Sequence, residues 1–121
     1  MQKRILIADD DFETNRLLTL IATRKGYRVV SAKDGIELMT IAAGEKFDLI
    51  ITDIKMPFHN GVFAVETMKL QGNTTPVIAL TAFRNSELDL AQDKFIKIFH
   101  KPCDVKELFE YVDSMLGMSL E

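Results

Sequence analysis

The sequence predicts an α/β three-layer sandwich, with five parallel strands alternating with five helices in one domain. Three observations carry this reading. Short apolar runs, polar turns and amphipathic segments alternate along the 121 residues, the rhythm of parallel strands joined by helical crossovers. The run Leu49-Ile50-Ile51-Thr52 is apolar and largely β-branched without alternation, as a strand buried on both faces should be. Four of the five apolar runs end in residues with chemical potential: Asp9-Asp10-Asp11, Asp53, Thr81 and Lys101-Pro102. Ligands bind at the carboxyl edge of open parallel sheets, so these ends define the candidate site.

Taken in order, the first strand is Arg4 to Ala8 and the first helix runs from about Phe12 to Lys25. Leu17, Leu18, Ile21 and Ala22 give that helix an apolar stripe, and Gly26 suits a left-handed position just beyond its end. The second strand is Arg28 to Ala32. Asp34 caps a second helix carrying Ile36, Leu38, Met39 and Ile41, and Gly44 ends it. The third strand is Leu49 to Thr52. Pro57-Phe58-His59-Asn60-Gly61 is a turn by composition, followed by a helix from Val62 to Leu70. The fourth strand is Val77 to Leu80, ending at Thr81, and a weakly patterned helix is expected from Ser86 to Lys94. The fifth strand is Phe95 to Phe99. Asp104 then caps a last helix whose stripe is Val105, Leu108, Phe109, Val112, Met115 and Leu116.

Composition narrows the function. The formal charge of -3 argues against direct nucleic-acid binding. The single cysteine, Cys103, excludes an internal disulfide and fits a reducing compartment. No apolar run approaches the ~18 residues a membrane span needs, and the first strand begins too near Met1 for a signal peptide. The expectation is a cytoplasmic domain over residues 1–118 with a short tail at 119–121.

The acids point to a metal. Carboxylates gathered in a poorly solvated cleft repel one another, and a hard divalent cation relieves the repulsion. Mg²⁺ takes oxygen ligands octahedrally and keeps waters, so Asp10, Asp53 and the main-chain carbonyl of Lys55 would suffice, with Asp9 acting through a water. Capping of the first helix accounts for one or two of the three consecutive acids but not for the matching Asp53. Lys101 can pair with Asp53 or with an anion attached to it, and Thr81 offers a hydroxyl to the same anion. Pro102 fixes the turn after the fifth strand, and a cis Lys101–Pro102 bond would aim the lysine inward. Metal, nucleophile, cation and hydroxyl together suit phosphoryl transfer to a carboxylate. Such catalysis is mostly positioning and charge neutralisation. Asp53 would be the nucleophile. It is already ionised at neutral pH, so no histidine base is needed, and His59 and His100 read as bystanders.

These residues resemble a known family, the receiver domain of two-component response regulators. The resemblance spans Arg4 to about Leu116. It rests on Ile5-Leu6-Ile7-Ala8-Asp9-Asp10-Asp11, on Asp53-Ile54-Lys55-Met56-Pro57 with Gly61, on Thr81-Ala82 and on Lys101-Pro102. It implies a flavodoxin-like (βα)5 fold with strand order 2-1-3-4-5. It further implies a phosphoacceptor, not a conventional enzyme. Asp53 would receive a phosphoryl group from a phosphohistidine on a sensor histidine kinase or histidine phosphotransfer protein. Asp9 and Asp10 would help hold Mg²⁺, and Thr81 and Lys101 would contact the phosphoryl group. A downstream effector would read the surface of the fourth helix, fifth strand and fifth helix.

The sequence departs from the family pattern near that surface. Ile98 stands where the family carries an aromatic residue three positions before the lysine, and Phe83 follows Thr81 by two. Asp93-Lys94-Phe95 replaces a small Gly-Ala pair. The expectation is a short, shifted or mobile fourth helix, with an atypical output face that signals without an aromatic swing. The alternative reading is a phosphate-independent pseudo-receiver that serves only for docking. An aspartyl-nucleophile hydrolase is disfavoured by Lys55, which stands where such enzymes place a second acid. A flavin-binding relative is disfavoured because Asp9 to Asp11 would repel a phosphate.

Overall fold

The computed structural model describes residues 2–56, 60–82 and 92–117. Five parallel strands form one sheet in the order β2-β1-β3-β4-β5. They are β1 (Arg4–Ala8), β2 (Arg28–Ala32), β3 (Leu49–Thr52), β4 (Val77–Thr81) and β5 (Lys97–His100). Among the described residues the helices are α1 (Phe12–Arg24), α2 (Gly35–Gly44), α3 (Gly61–Leu70) and a C-terminal helix, Val105–Leu116. The three central strands β1, β3 and β4 are buried almost throughout, which is why their sequences run apolar without alternation.

Strand pleating sends successive side chains to opposite faces, and each face has its own core. Leu6, Ala8, Ile50 and Ala79 pack with Leu38 and Ala42 of α2 and with Val62, Val65 and Met68 of α3. Ile5, Ile7, Ile51, Ile78 and Leu80 pack on the other side with Leu18 and Ala22 of α1 and with Leu108, Phe109 and Val112 of the C-terminal helix. The helices therefore cover both faces, as the crossover argument requires.

Helix starts follow the expected chemistry. Asp11, Asp34, Asn60 and Asp104 are N-caps whose side chains accept main-chain N–H bonds from Thr14, Glu37, Phe63 and Lys106. Gly26 lies beyond the end of α1 at φ +98°, where a side chain would be strained.

Several expectations need correction. Leu17 and Ile36 are about half exposed, and the buried side chains on α1 and α2 are instead Leu18 and Ala22, and Leu38 and Ala42, with Gly35 buried at the start of α2. The fifth strand starts two residues later than expected. The ladder with β4 opens at Lys97, opposite Ile78, while Phe95 drops into the core beside α3 instead of pairing. Asp93 and Lys94 belong to a 3-10 turn, Gln92–Lys94, and not to an α-helix. The rest of the expected fourth helix (86–91), Phe83, the turn residues Pro57, Phe58 and His59, and the tail at 119–121 lie outside the described residues.

Candidate functional site

The strand order puts β1 beside β3, and β3 beside β4, so the ends that carry acids are neighbours. Ala8 is in register with Thr52, and Asp53 donates its main-chain N–H to Ala8 O at 2.8 Å. One residue beyond each strand, Asp9 and Asp53 stand side by side. Oxygens of Asp9, Asp10 and Asp53 all lie within 4.8 Å of one another.

The three consecutive acids divide their work. Asp11 turns to α1 and caps it, accepting from Thr14 N at 3.0 Å and from the Thr14 hydroxyl. Those two bonds hold its carboxyl below the usual carboxylate range. Asp9 turns inward and is 2% exposed. Its Oδ1 accepts from Asp11 N at 2.9 Å and its Oδ2 from Lys101 Nζ at 2.9 Å. Burial dominates and raises its carboxyl above the ordinary value, although the Lys101 hydrogen bond opposes the shift. Asp10 is exposed at the mouth of the pocket.

Lys101 reaches in from the far edge of the sheet. Its main-chain N–H donates to Thr81 O at 2.8 Å, which fixes the end of β5 on the end of β4. Its ammonium lies 2.9 Å from Asp9 Oδ2 and 3.0 Å from Asp53 Oδ2. Burial alone would depress the lysine, but the hydrogen bonds to Asp9 and Asp53 win, and it is held above its ordinary value. The Lys101–Pro102 peptide bond is cis.

Asp53 is 8% exposed, and its Oδ1 accepts the N–H of Lys55 at 3.3 Å. Thr81 closes β4 and is fully buried. The chain returns to the site at α3. Gly61 N donates to Ile54 O at 2.7 Å, and a Cβ on Gly61 would collide with the Asp53 main-chain oxygen. Only glycine permits that approach. His100 precedes Lys101 and is partly buried.

Sequence reasoning missed Asn15. Its amide nitrogen donates to Asp9 O and Ala32 O, both at 3.0 Å, and so ties the ends of β1 and β2 under the acids. A polar side chain four residues after the Asp11 cap was the available signal. It also missed a polar cluster around the buried Asp113 at the opposite edge of the sheet. There Asp113 accepts from the Tyr27 hydroxyl and, at 2.9 Å, from Lys25 Nζ.

The charge balance favours a divalent ion. Three carboxylates and one ammonium leave two negative charges in a space of a few ångströms. An oxygen-only donor set with one exposed member and room for water suits Mg²⁺, so the pocket fits that ion and an aspartyl phosphate beside it.

Comparison with known proteins agrees. The sequence profile of the response regulator receiver domain matches residues 5–113. The chain therefore belongs to that family and is a signalling module of the two-component type. It is 31% identical to sporulation initiation phosphotransferase F of Bacillus subtilis, over 98% of this chain and 97% of that one. It is 34% identical to the transcriptional regulatory protein CpxR of Escherichia coli, where the match covers 96% of this chain and half of CpxR. Among solved structures it resembles the response regulator TrrA of Thermotoga maritima in complex with Mg²⁺-BeF, with a TM-score of 0.85 and 28% identity over 94% of this chain and 99% of that one. A CheY-like receiver domain protein from Methanospirillum hungatei gives a TM-score of 0.89 at 28% identity, over 97% of this chain and 95% of that one. No described helix is long and apolar enough to cross a membrane.

Proposed function

We propose that this chain is a phosphoacceptor in a two-component phosphorelay, with Asp53 as the accepting residue and residues 1–118 as the receiver unit. The observation that carries the reading is the ammonium of Lys101 held between Asp9 and Asp53. A carboxylate beside a fixed cation and two further acids is prepared for an anion to be attached to it. The donor is a phosphohistidine on a sensor histidine kinase or a histidine phosphotransfer protein. An Asp53 carboxylate oxygen attacks phosphorus, the P–N bond to imidazole breaks, and an acyl phosphate forms.

Asp9, Asp10, Asp53 and the main-chain carbonyl of Lys55 would hold Mg²⁺, which when bound neutralises charge on the carboxylates and the phosphoryl oxygens. Lys101 takes one phosphoryl oxygen in exchange for its present bond to Asp53, and Thr81 takes another through its hydroxyl. Water later hydrolyses the acyl phosphate, so the domain resets itself. The likeness to TrrA, solved with Mg²⁺ and a beryllium fluoride, supports both the ion and the phosphoryl site.

The module works in the cytoplasm, binds no nucleic acid itself, and presents β5 and the C-terminal helix, with the segment between β4 and β5, to an effector. A docking-only pseudo-receiver is favoured by Ile98 but disfavoured by the assembled acids and lysine. Incubation with acetyl phosphate decides between the two. Intact mass should rise by one phosphoryl group in the wild type with Mg²⁺. It should not rise with EDTA or in Asp53→Asn. No adduct on wild type under any condition would support the docking-only reading.

A further inference from the structure

His100 occupies the end of β5 between Phe99 and Lys101. In the parallel register its partner is Thr81, so the two side chains leave the sheet on the same face. That is the face of α2 and α3, where Ala79 and Ile98, two residues earlier on each strand, pack. The imidazole Nδ1 is shut away from solvent, and it has no hydrogen-bond partner among the described residues. Buried ring nitrogens are ordinarily paired, and an unpaired one is a cost that a second state of the molecule can relieve.

We infer that His100 is a positioning residue for Thr81: in the phosphoryl-bearing state its Nδ1–H donates to Thr81 Oγ1 while Thr81 donates its hydroxyl proton to a phosphoryl oxygen. A hydroxyl has one proton to give and two lone pairs to receive, so both bonds form together. Each polarises the other, and the chain of two is stronger than either alone. The ring must carry its proton on Nδ1. The inference rests on the phosphoacceptor reading above and extends it. It also gives this sequence a coupling group on the right face of β5 although Ile98 is aliphatic. His100 stands two residues further along, directly opposite the threonine.

Imidazole nitrogen spectra of the ¹⁵N-labelled full chain test this, with Mg²⁺ alone and then with beryllofluoride. The sequence has only two histidines, His59 and His100, so loss of one signal set in His100→Asn assigns the other. The expected result is a shift of His100 Nδ1 to a protonated, hydrogen-bonded position when beryllofluoride binds. In parallel, His100→Phe keeps a ring and loses the donor, and should need about tenfold more beryllofluoride for half-saturation. His100→Asn places an amide N–H near the Nδ1 position and should stay within about threefold of wild type. An unmoved Nδ1 in wild type that does bind beryllofluoride overturns the inference and leaves the phosphoacceptor reading intact. Equal affinities of His100→Phe and wild type do the same. If His100→Phe fails to fold, the wild-type nitrogen shift decides alone. Failure of wild type to bind beryllofluoride overturns the phosphoacceptor reading and this inference with it.

Discussion

Lys101 Nζ lies 3.0 Å from Asp53 Oδ2, although 48 residues separate the two in the chain. The contact spans the ends of β3 and β5, with β4 between them, and the same ammonium also binds Asp9. This arrangement has consequences that can be measured.

Removing the lysine should unmask the repulsion it covers. Lys101→Met leaves Asp9 and Asp53 adjacent and almost buried without their cation. Leaving buried charges unpaired is expensive, though partial exposure of the lysine moderates the effect. The expected loss is about 1–3 kcal/mol in urea unfolding at pH 7 with EDTA. Millimolar Mg²⁺ should return much of it, because the ion supplies the missing positive charge.

Asp9 and Asp10 should behave alike toward metal and differently toward stability. Asp10 is exposed, so Asp10→Asn should move the urea midpoint in EDTA by less than about 0.5 kcal/mol. Asp9 is buried with its carboxyl held above the ordinary value, so ionising it at neutral pH costs folding energy. A raised carboxyl contributes stability below its unfolded value of 3.8 that is lost as pH rises through the folded value. Asp9→Asn should therefore match or exceed wild-type stability in EDTA. Both variants should weaken Mg²⁺ binding by about tenfold or more, read by calorimetric titration.

Gly61 should tolerate no side chain. Even the Cβ of alanine would meet the Asp53 main-chain oxygen and come within 3.1 Å of Ile54 Cα. Gly61→Ala must push the start of α3 away from the end of β3. The expected cost is about 1–3 kcal/mol, with weakened Mg²⁺ binding as the sign that Asp53 has moved. Unchanged metal affinity would mean that α3 alone absorbs the shift.

Far from the site, Tyr27 and Lys25 grip the buried Asp113 and join the end of α1 to the C-terminal helix. Burial, then the Asp113 hydrogen bond, raises the Tyr27 hydroxyl well above its ordinary value of 10.0. The stability this bond contributes is complete below pH 10 and is lost as pH climbs through the folded value. Tyr27→Phe should cost about 1–2 kcal/mol at pH 7 and show a shallower fall in stability above pH 10 than wild type. Urea curves at pH 7 and pH 11 read both effects.

The sequence made the sheet legible because β1, β3 and β4 are covered on both faces, so their apolar runs have no competing explanation. The expected boundaries of β2 and β3 match the structure, and Asp34 and Asp104 cap as their positions suggested. The fifth strand was harder. Phe95 is apolar and contiguous with the run, but it serves the α3 side of the core, and a hydrophobicity pattern cannot separate packing from strand pairing. Asp9, Asp53 and Lys101 were each marked by a strand end. Asn15 was not, because a polar residue inside an amphipathic helix gives no hint that it bonds main-chain carbonyls at the ends of β1 and β2.

Asp53 is the residue on which a phosphoryl group should land. Treatment with acetyl phosphate and Mg²⁺ followed by borohydride would reduce an aspartyl phosphate to homoserine, and peptide mass spectrometry would locate it. Homoserine is expected at position 53, only with Mg²⁺ and only when the donor is present. Homoserine at position 9 or 10, or an unmodified Asp53 in folded protein with Mg²⁺ and donor, would contradict it.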